Sequence, residues 1–293
     1  MPDKRCVLRY QADLVDTQGA SRTVTFFGKT YPDARSADLF ASQSSAWEQL
    51  TAQGAALGVP RPLLHLEAEH TIWLEDWGGL PLIEAARERS WDELVTRAAA
   101  AVAALHCSRI TGFPPAPTPD QVLQTALEDG PKYAGRVPAQ RNLVVRILEH
   151  LRSTQPAPDA AGWPRVPIHG ACRAEQMLIR GSETALIDLD SLAEGDPLLD
   201  VAEFLASLEF LALGGTSPGL DFARASECFL ESYAARVPWH VDRGRVSWYA
   251  LAFAVSKLHA SVKHLEMVTL ARLEREGEAL VGRWLRGEAG TSA

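Results

Sequence analysis

The sequence predicts an α+β fold of two lobes, a small antiparallel β lobe over residues 1–77 and a larger, mostly α-helical lobe over 78–293. In the first lobe, apolar residues alternate with polar ones, which is typical of strands. After Gly78 and Gly79 the apolar residues recur with a period near 3.6, which is typical of amphipathic helices. A hairpin pattern interrupts the helical part at 168–200. With 293 residues, 46% of them hydrophobic, the chain is long enough to bury a core in both lobes.

The first lobe opens on a predicted hairpin. Cys6–Val15 alternates apolar and polar residues, 16–19 contains turn-forming residues, and 23–31 is rich in β-branched and aromatic residues. Lys29 lies near the end of the second strand. Its residue type alone fits an ordinary exposed position on that strand.

A helix is predicted next. Ser36 can cap it, Asp38 suits its positive first turn, and Gly54 ends it. One side of this helix is apolar, formed by Phe40, Trp47 and Leu50. Glu48 lies on the same helix, and it is either a solvated side chain or an ion-pair partner for Lys29.

The rest of the first lobe is a second hairpin at 62–77, and the pattern of alternating residues breaks at 74–79. Amphipathic periodicity and proline-rich interruptions then divide the chain. Helices are predicted over 91–106, 119–127 and 137–151, with loops at 112–119 and 155–167, and further helices over 201–213, 222–233, 246–262 and 273–285.

The segment 168–200 contains the candidate chemistry. Two short apolar strands, 177–180 and 184–187, flank a turn, and Asp188 and Asp190 follow the second strand. A hairpin that ends in two acids can hold a divalent ion, because hard cations such as Mg²⁺ prefer oxygen ligands. A surface hairpin with solvated acids explains the same spacing equally well.

Composition excludes several classes of protein. The net charge of -8 argues against a nucleic-acid-binding surface, which needs clustered basic residues, and mildly favours cationic ligands. No stretch approaches the roughly 20 apolar residues of a membrane span, and the first residues have no apolar signal core. The cysteines have neither metal-ligand nor disulfide-framework spacing, so we expect free thiols and a cytoplasmic location; they are Cys6, Cys107, Cys172 and Cys228.

The 168–200 segment resembles the catalytic core of the aminoglycoside phosphotransferase and choline kinase family, relatives of protein kinases with a bilobal fold. The family pattern is H-G-D-x-x-x-x-N, a hairpin, I-D-[WFL] and G-D-P-x-x-D. Seven residues match it: His169, Gly170, Asp188, Gly195, Asp196, Pro197 and Asp200. Two depart from it, since Ala171 replaces the catalytic Asp and Gln176 replaces the metal-binding Asn.

The resemblance implies ATP and Mg²⁺ as cofactors and assigns roles to further residues. Lys29 would hold the α- and β-phosphates and pair with Glu48 on the next helix. Asp188 and Gln176 would bind the metal, and His169, position 171 and Asp190 would belong to the catalytic group. Glu75, Asp76 and Trp77 would lie at the hinge, where main-chain groups contact adenine. The region after residue 200 would form the cleft for a small-molecule hydroxyl acceptor.

One expected element is missing from the pattern. Kinase-like lobes place a glycine-rich loop between two strands that precede the lysine strand. Here a single hairpin precedes the helix, so either the first strand and its phosphate lid are absent, or the turn around Gly19 serves as a short lid.

Three functions fit these observations. The first is an ATP-dependent small-molecule phosphotransferase with a modified catalytic loop, in which Cys172, Glu175, Asp190 or Glu194 replaces the missing base. The second is a pseudokinase that binds a nucleotide or metabolite and acts through conformation or a protein partner. The third is a scaffold without nucleotide, which uses the altered cleft to dock a protein.

Overall fold

The structure, a computed structural model, describes residues 5–15, 17–157, 163–214, 217, 219–263, 271 and 282. A four-stranded antiparallel sheet with one helix is followed by a mostly helical part. The predicted α+β fold is therefore confirmed, and the division between residues 77 and 78 stays a prediction. Among the described residues, no helix combines the length and apolar composition that a membrane span requires.

The N-terminal sheet is built from two hairpins. Its strands lie in the order β1, β2, β4, β3, with bounds β1 Cys6–Val15, β2 Ser21–Thr30, β3 Pro62–Leu66 and β4 Thr71–Glu75. The register joins Cys6 to Thr30 and Val15 to Ser21, so the first predicted hairpin is confirmed. The helix α1, Arg35–Ala52, packs against β3 and β4.

This sheet decides between the two alternatives for the phosphate lid. In the described part of the chain no strand precedes β1, so the additional strand expected before the lysine strand is absent there. The turn at Gly19 lies at the other end of the hairpin from Lys29. Eight residues of strand separate Ser21 from Lys29, which is about 26 Å. The prediction that this turn covers the phosphates is therefore wrong.

The start of α1 differs from its prediction. Ala34 is the N-cap residue and makes no side-chain cap, whereas Ser36 is buried in the first turn. The Ser36 hydroxyl lies 3.0 Å from Nε2 of His65 on β3. A tertiary partner thus takes the hydroxyl that was expected to cap the helix. Gly54, with φ 61°, follows the helix end as predicted.

The second part is a bundle around buried helices. Their bounds are α2 Leu82–Ala85, α3 Trp91–His106, α4 Pro119–Arg136, α5 Arg141–Ser153, α6 Leu198–Gly214, α7 Phe222–Ala234 and α8 Arg243–Lys263. The helix α3 has its predicted bounds, whereas α4 continues beyond residue 127 and through Pro131. The predicted helix at 273–285 lies almost entirely outside the described residues.

Five short strands position the candidate site: β5 Leu80–Pro81, β6 Val166–Ile168, β7 Met177–Arg180, β8 Glu183–Leu186 and β9 Ala193–Gly195. The predicted β7–β8 hairpin is confirmed, with β8 one residue earlier than expected. The strands β6 and β9 pair antiparallel, with Ile168 opposite Ala193. His169 therefore starts its loop beside the segment that carries the two acids.

Candidate active site

Asp188 lies in an unusual backbone conformation at the end of the hairpin. Its φ and ψ are 65° and 53°, in the left-handed region, and Asp190 follows in a short 3₁₀ turn, Leu189–Ser191. A non-glycine residue pays roughly 1 to 2 kcal/mol for this conformation, although Asp and Asn tolerate it best. The strain turns both carboxylates toward the N-terminal sheet, where they meet two basic side chains.

Lys29 and Arg5 neutralise these two acids. The Nζ atom of Lys29 lies 2.7 Å from Oδ1 of Asp188 and 2.7 Å from Oδ1 of Asp190. The Arg5 guanidinium lies 2.6 Å from Asp188 through Nη2 and 2.7 Å from Asp190 through Nη1. Two carboxylates thus face two cations, and we call these four residues the charge cluster. Lys29 and Asp188 therefore lie in one site.

The pKa of Asp188 reflects this environment. Burial disfavours its ionised form, but the charge of Lys29 and the hydrogen bonds from Lys29 and Arg5 outweigh burial and lower the pKa to about 2. Asp188 is therefore a carboxylate at neutral pH. Since Lys29 is only 5% exposed, its charge is poorly screened by solvent.

Asp190 accepts two further hydrogen bonds that hold it in place. The Tyr31 hydroxyl lies 3.0 Å from each of its oxygens, and Nε2 of Gln43 lies 3.0 Å from Oδ1. Burial, and then the negative charge of Asp190, raises the pKa of Tyr31, so the phenol stays protonated and donates. Asp190 thus contacts Lys29, Arg5, Tyr31 and Gln43, which leaves it poorly placed to accept a proton from a substrate.

Gln176 stands beside Asp188 with its amide nitrogen inward. Its Nε2 atom donates to Oδ2 of Asp188 at 3.1 Å. Its Oε1 atom is buried and accepts no hydrogen bond in the structure. The site thus has three groups with oxygen atoms suited to a hard cation, two carboxylates and one amide.

His169 and Gly170 hold the loop that follows β6. Their backbone N–H groups donate to the Asp200 carboxylate at 2.6 and 2.9 Å, and Nε2 of His169 lies 2.8 Å from the carbonyl oxygen of Ile187. Gly170 has φ 73°, and a Cβ there would lie 2.0 Å from the carbonyl oxygen of Ser191. His169, predicted as catalytic, therefore positions the loop, and only glycine fits beside it.

Ala171 offers no group that can accept a proton, and the four proposed replacements are unsuited to the task. Cys172 is buried, and burial followed by the charges of Asp200 and Glu203 raises its pKa well above the usual value. Glu175 is exposed. Glu194 accepts from the backbone N–H of Gly112 at 2.9 Å, in another part of the lobe.

The predicted pair of Lys29 with Glu48 is not formed. Lys29 is buried with Asp188 and Asp190, whereas Glu48 lies on the exposed side of α1. Gln43 takes the inward position on that helix. The helical period accounts for this, because residues 43, 46 and 50 are buried on one face, whereas residue 48 lies about 140° around the helix from residue 43.

The three predicted hinge residues lie at the end of β4, and several of their polar groups already have partners. The N–H of Glu75 donates to the Arg61 carbonyl at 2.9 Å. Asp76 binds the exposed Arg9 at 3.0 Å. Arg180 stacks on the Trp77 ring at 4.0 Å and donates to its carbonyl oxygen. Their role in adenine contact stays a prediction.

Sequence reasoning missed Arg5, Tyr31 and Gln43. Periodicity on α1 was a sufficient signal for Gln43, since it shares the buried face with Ala46 and Leu50. Arg5 had no local signal, because its partners are more than 180 residues away in sequence. Only the register of β1 with β2 places it near Lys29.

Comparison with known proteins adds the family. The model of the phosphotransferase enzyme family matches residues 12–238 of this chain. No curated protein matches the sequence. Three solved structures are similar in fold, at identities too low to carry function.

The first, aminoglycoside phosphotransferase APH(3'')-Id from Streptomyces rimosus, has a TM-score of 0.51 and 20% identity, over 84% of this chain and 92% of that chain. The second, a thermostable mutant of aminoglycoside phosphotransferase APH(4)-Ia, has a TM-score of 0.61 and 16% identity, over 96% and 94%. The third, a choline/ethanolamine kinase family protein from Mesorhizobium loti, has a TM-score of 0.56 and 16% identity, over 95% and 92%.

These likenesses show the bilobal protein-kinase-like fold that the 168–200 motif implied. The family match spans both the sheet with Lys29 and the segment with Asp188 and Asp190. On that match, the chain belongs to the phosphotransferase enzyme family.

Proposed function

We propose that the protein binds a nucleoside triphosphate at the charge cluster and that its phosphoryl transfer is impaired. The observation that carries this proposal is the contrast within one site. Lys29, Asp188 and Asp190 are assembled for polyphosphate, while Ala171 stands where the catalytic carboxylate belongs. Binding and chemistry use different groups here, so losing one need not remove the other.

Complexes of similar structures support a nucleotide as the ligand. The APH(4)-Ia mutant is a ternary complex with AMP-PNP and hygromycin B, and aminoglycoside 2'-phosphotransferase-IIIa is a GDP complex with a TM-score of 0.58. In this chain, main-chain groups of Glu75, Asp76 and Trp77 are the candidates for contact with the base. A cytosolic location fits such a ligand, and the four described cysteines are free.

The donor set of the cluster fits Mg²⁺. Asp188, Asp190 and the unpartnered Oε1 of Gln176 are hard oxygen donors, and Arg5 and Lys29 already stand in as cations on both acids. The described residues contain no group of three His, Cys, Asp or Glu suited to a metal. Two carboxylates and an amide are sufficient for Mg²⁺, which usually keeps several waters and binds substrate phosphates. When bound, the ion would neutralise phosphate charge.

The cost of Ala171 falls on the rate. A general base contributes typically 10²- to 10⁴-fold, or roughly 3 to 5 kcal/mol of barrier. Phosphoryl transfer otherwise depends mostly on positioning and charge neutralisation, and the cluster can still supply these. We therefore infer a pseudokinase that binds nucleotide or a metabolite and acts through its conformation or a protein partner.

One observation favours a second function, slow transfer to a small hydroxyl compound. Glu203 on α6 lies 4.0 Å from Arg173 of the catalytic loop. Burial raises the pKa of Glu203 to about 7, opposed by the charges of Lys257 and Arg173 and assisted by Asp200. A carboxyl group that titrates near neutral pH suits a general base. The net charge of -8 mildly favours a cationic acceptor.

Thermal unfolding with and without ATP tests the proposal. A ligand that binds only the folded state raises the apparent stability by RT ln(1 + [L]/Kd). We expect ATP to raise the unfolding temperature of the wild type but not of Lys29→Met, and we expect little ADP to form over hours. Absence of any ATP effect would leave the scaffold hypothesis, and rapid ADP formation would favour the transferase.

A further inference from the structure

We propose that Arg5 is an internal cation of the phosphate site. It would bridge Asp188 and Asp190 to the phosphates of the nucleotide, as a divalent ion does, so that polyphosphate binding does not require a metal. This inference rests on the proposed function, because it assumes that a nucleotide occupies the site.

The hydrogen bonds of Arg5 leave one edge of its guanidinium available. Nη1 donates to Oδ1 of Asp188 at 2.9 Å and to Oδ2 of Asp190 at 2.7 Å, and Nη2 donates to Oδ2 of Asp188 at 2.6 Å. An arginine has five N–H donors. Among the described residues, Nε–H and the second Nη2–H therefore have no partner, and these two donors lie on the same edge. A guanidinium edge binds phosphate through two parallel hydrogen bonds.

The depth of the cluster places that edge toward an incoming ligand. The Arg5 side chain is 40% exposed, whereas those of Asp188, Asp190 and Lys29 are 16%, 13% and 6% exposed. The acids thus lie beneath the guanidinium and hold it in orientation. A cation fixed in this way loses little rotamer freedom when an anion binds, and this loss is one of the usual costs of binding.

Arg5 also occupies the position between the carboxylates that a divalent ion would take. It binds both oxygens of Asp188 and one oxygen of Asp190, so an ion on both acids must first displace it. Gln176 agrees with this arrangement, since it turns its amide nitrogen rather than its oxygen toward Asp188. The two acids are therefore neutralised by protein cations before any metal arrives.

Calorimetric titration with ADP and with inorganic tripolyphosphate, each in excess EDTA and in saturating Mg²⁺, tests the inference. The variants are Arg5→Ala, Arg5→Lys and the control Arg22→Ala, an exposed arginine at the far end of the same hairpin. In EDTA, we expect wild type and Arg22→Ala to bind both ligands, and Arg5→Ala to bind them about 10- to 100-fold more weakly, as for a lost charged hydrogen bond. Mg²⁺ should improve binding more in Arg5→Ala than in wild type, because the freed acids can take the ion.

The outcomes separate this inference from the proposed function. If wild type binds ADP only with Mg²⁺, or if Arg5→Ala binds as tightly as wild type in EDTA, then the role of Arg5 is refuted while nucleotide binding stands. If no nucleotide binds under either condition, both fail. Arg5→Lys keeps the charge but loses the two-pronged edge, so binding between wild type and Arg5→Ala supports the inference even where Arg5→Ala folds poorly.

Discussion

Replacing Asp188 by Asn should destabilise the protein, and this is the most direct test of the charge cluster. The change keeps the size of the side chain, and Asn tolerates the left-handed conformation at φ 65°. It removes a charge whose pKa is lowered from 3.8 to about 2. That shift corresponds to about 2 kcal/mol at neutral pH. Little discount for solvent applies, because the Asp188 side chain is only 16% exposed.

The sign of this effect distinguishes two descriptions of the site. A depressed carboxylate pKa contributes stability above the unfolded value near 4, and this stability is lost as the pH falls through about 2, so the comparison belongs at pH 7. The Asp188→Asn substitution would leave Lys29 and Arg5 with Asp190 alone. If the two acids instead repelled each other, removing one charge would stabilise the fold.

Urea unfolding at pH 7 in EDTA, followed by tryptophan fluorescence, measures the difference. We expect a lower midpoint for Asp188→Asn with an unchanged m-value, since the surface exposed on unfolding stays the same. The matched control is Asp92→Asn, which breaks the exposed ion pair with Arg224 and should shift the midpoint very little. An Asp188→Asn protein as stable as wild type, or more stable, would refute the neutral cluster.

Three further predictions follow from neighbouring positions. Ala171→Asp should raise ATP hydrolysis or transfer by about 10²-fold or more; a variant that binds ATP in a thermal shift assay yet stays inert would show that the cleft lacks more than this carboxylate. Glu203→Gln should become increasingly stable relative to wild type between pH 4 and 8, by at most about 3 kcal/mol in urea titrations. The reason is that the raised pKa of Glu203 favours folding below its ordinary value near 4.5, and this contribution is lost as the pH rises through about 7. A pH-independent difference would contradict this account. Gly170→Ala should cost about 2 kcal/mol or more, since its Cβ would meet the Ser191 carbonyl at φ 73°; unchanged thermal stability would show that the loop can move aside.

Local signals predicted the parts of the site that depend on neighbours in sequence. Turn residues between two short strands placed Asp188 at the end of a hairpin, and the structure has that hairpin. The 3.6 period likewise gave both ends of α3 correctly. In both cases the information lies within a few residues of the feature, so one chain is sufficient to find it.

Long-range features were out of reach or were misjudged. Arg5 meets Asp188 across 183 residues, and no local pattern marks an arginine before an edge strand as a ligand of two acids. Glu48 was chosen for its charge, although the period of α1 favoured Gln43 for the buried face. The family resemblance supplied a role, and the helix geometry gave that place to a neutral side chain.

The replacement at position 43 explains why Lys29 turns to the acids. With a neutral Gln43 on α1, the buried ammonium has no carboxylate from that helix, and a buried charge without a partner costs several kcal/mol. Asp188 and Asp190 supply the missing charge, and Arg5 balances the second negative charge that they introduce. Restoring a carboxylate by Gln43→Glu would place a third acid beside Asp190 and make the cluster net negative. Such a site should recruit a divalent cation more readily, which connects the neutral residue on α1 to the metal independence proposed for Arg5.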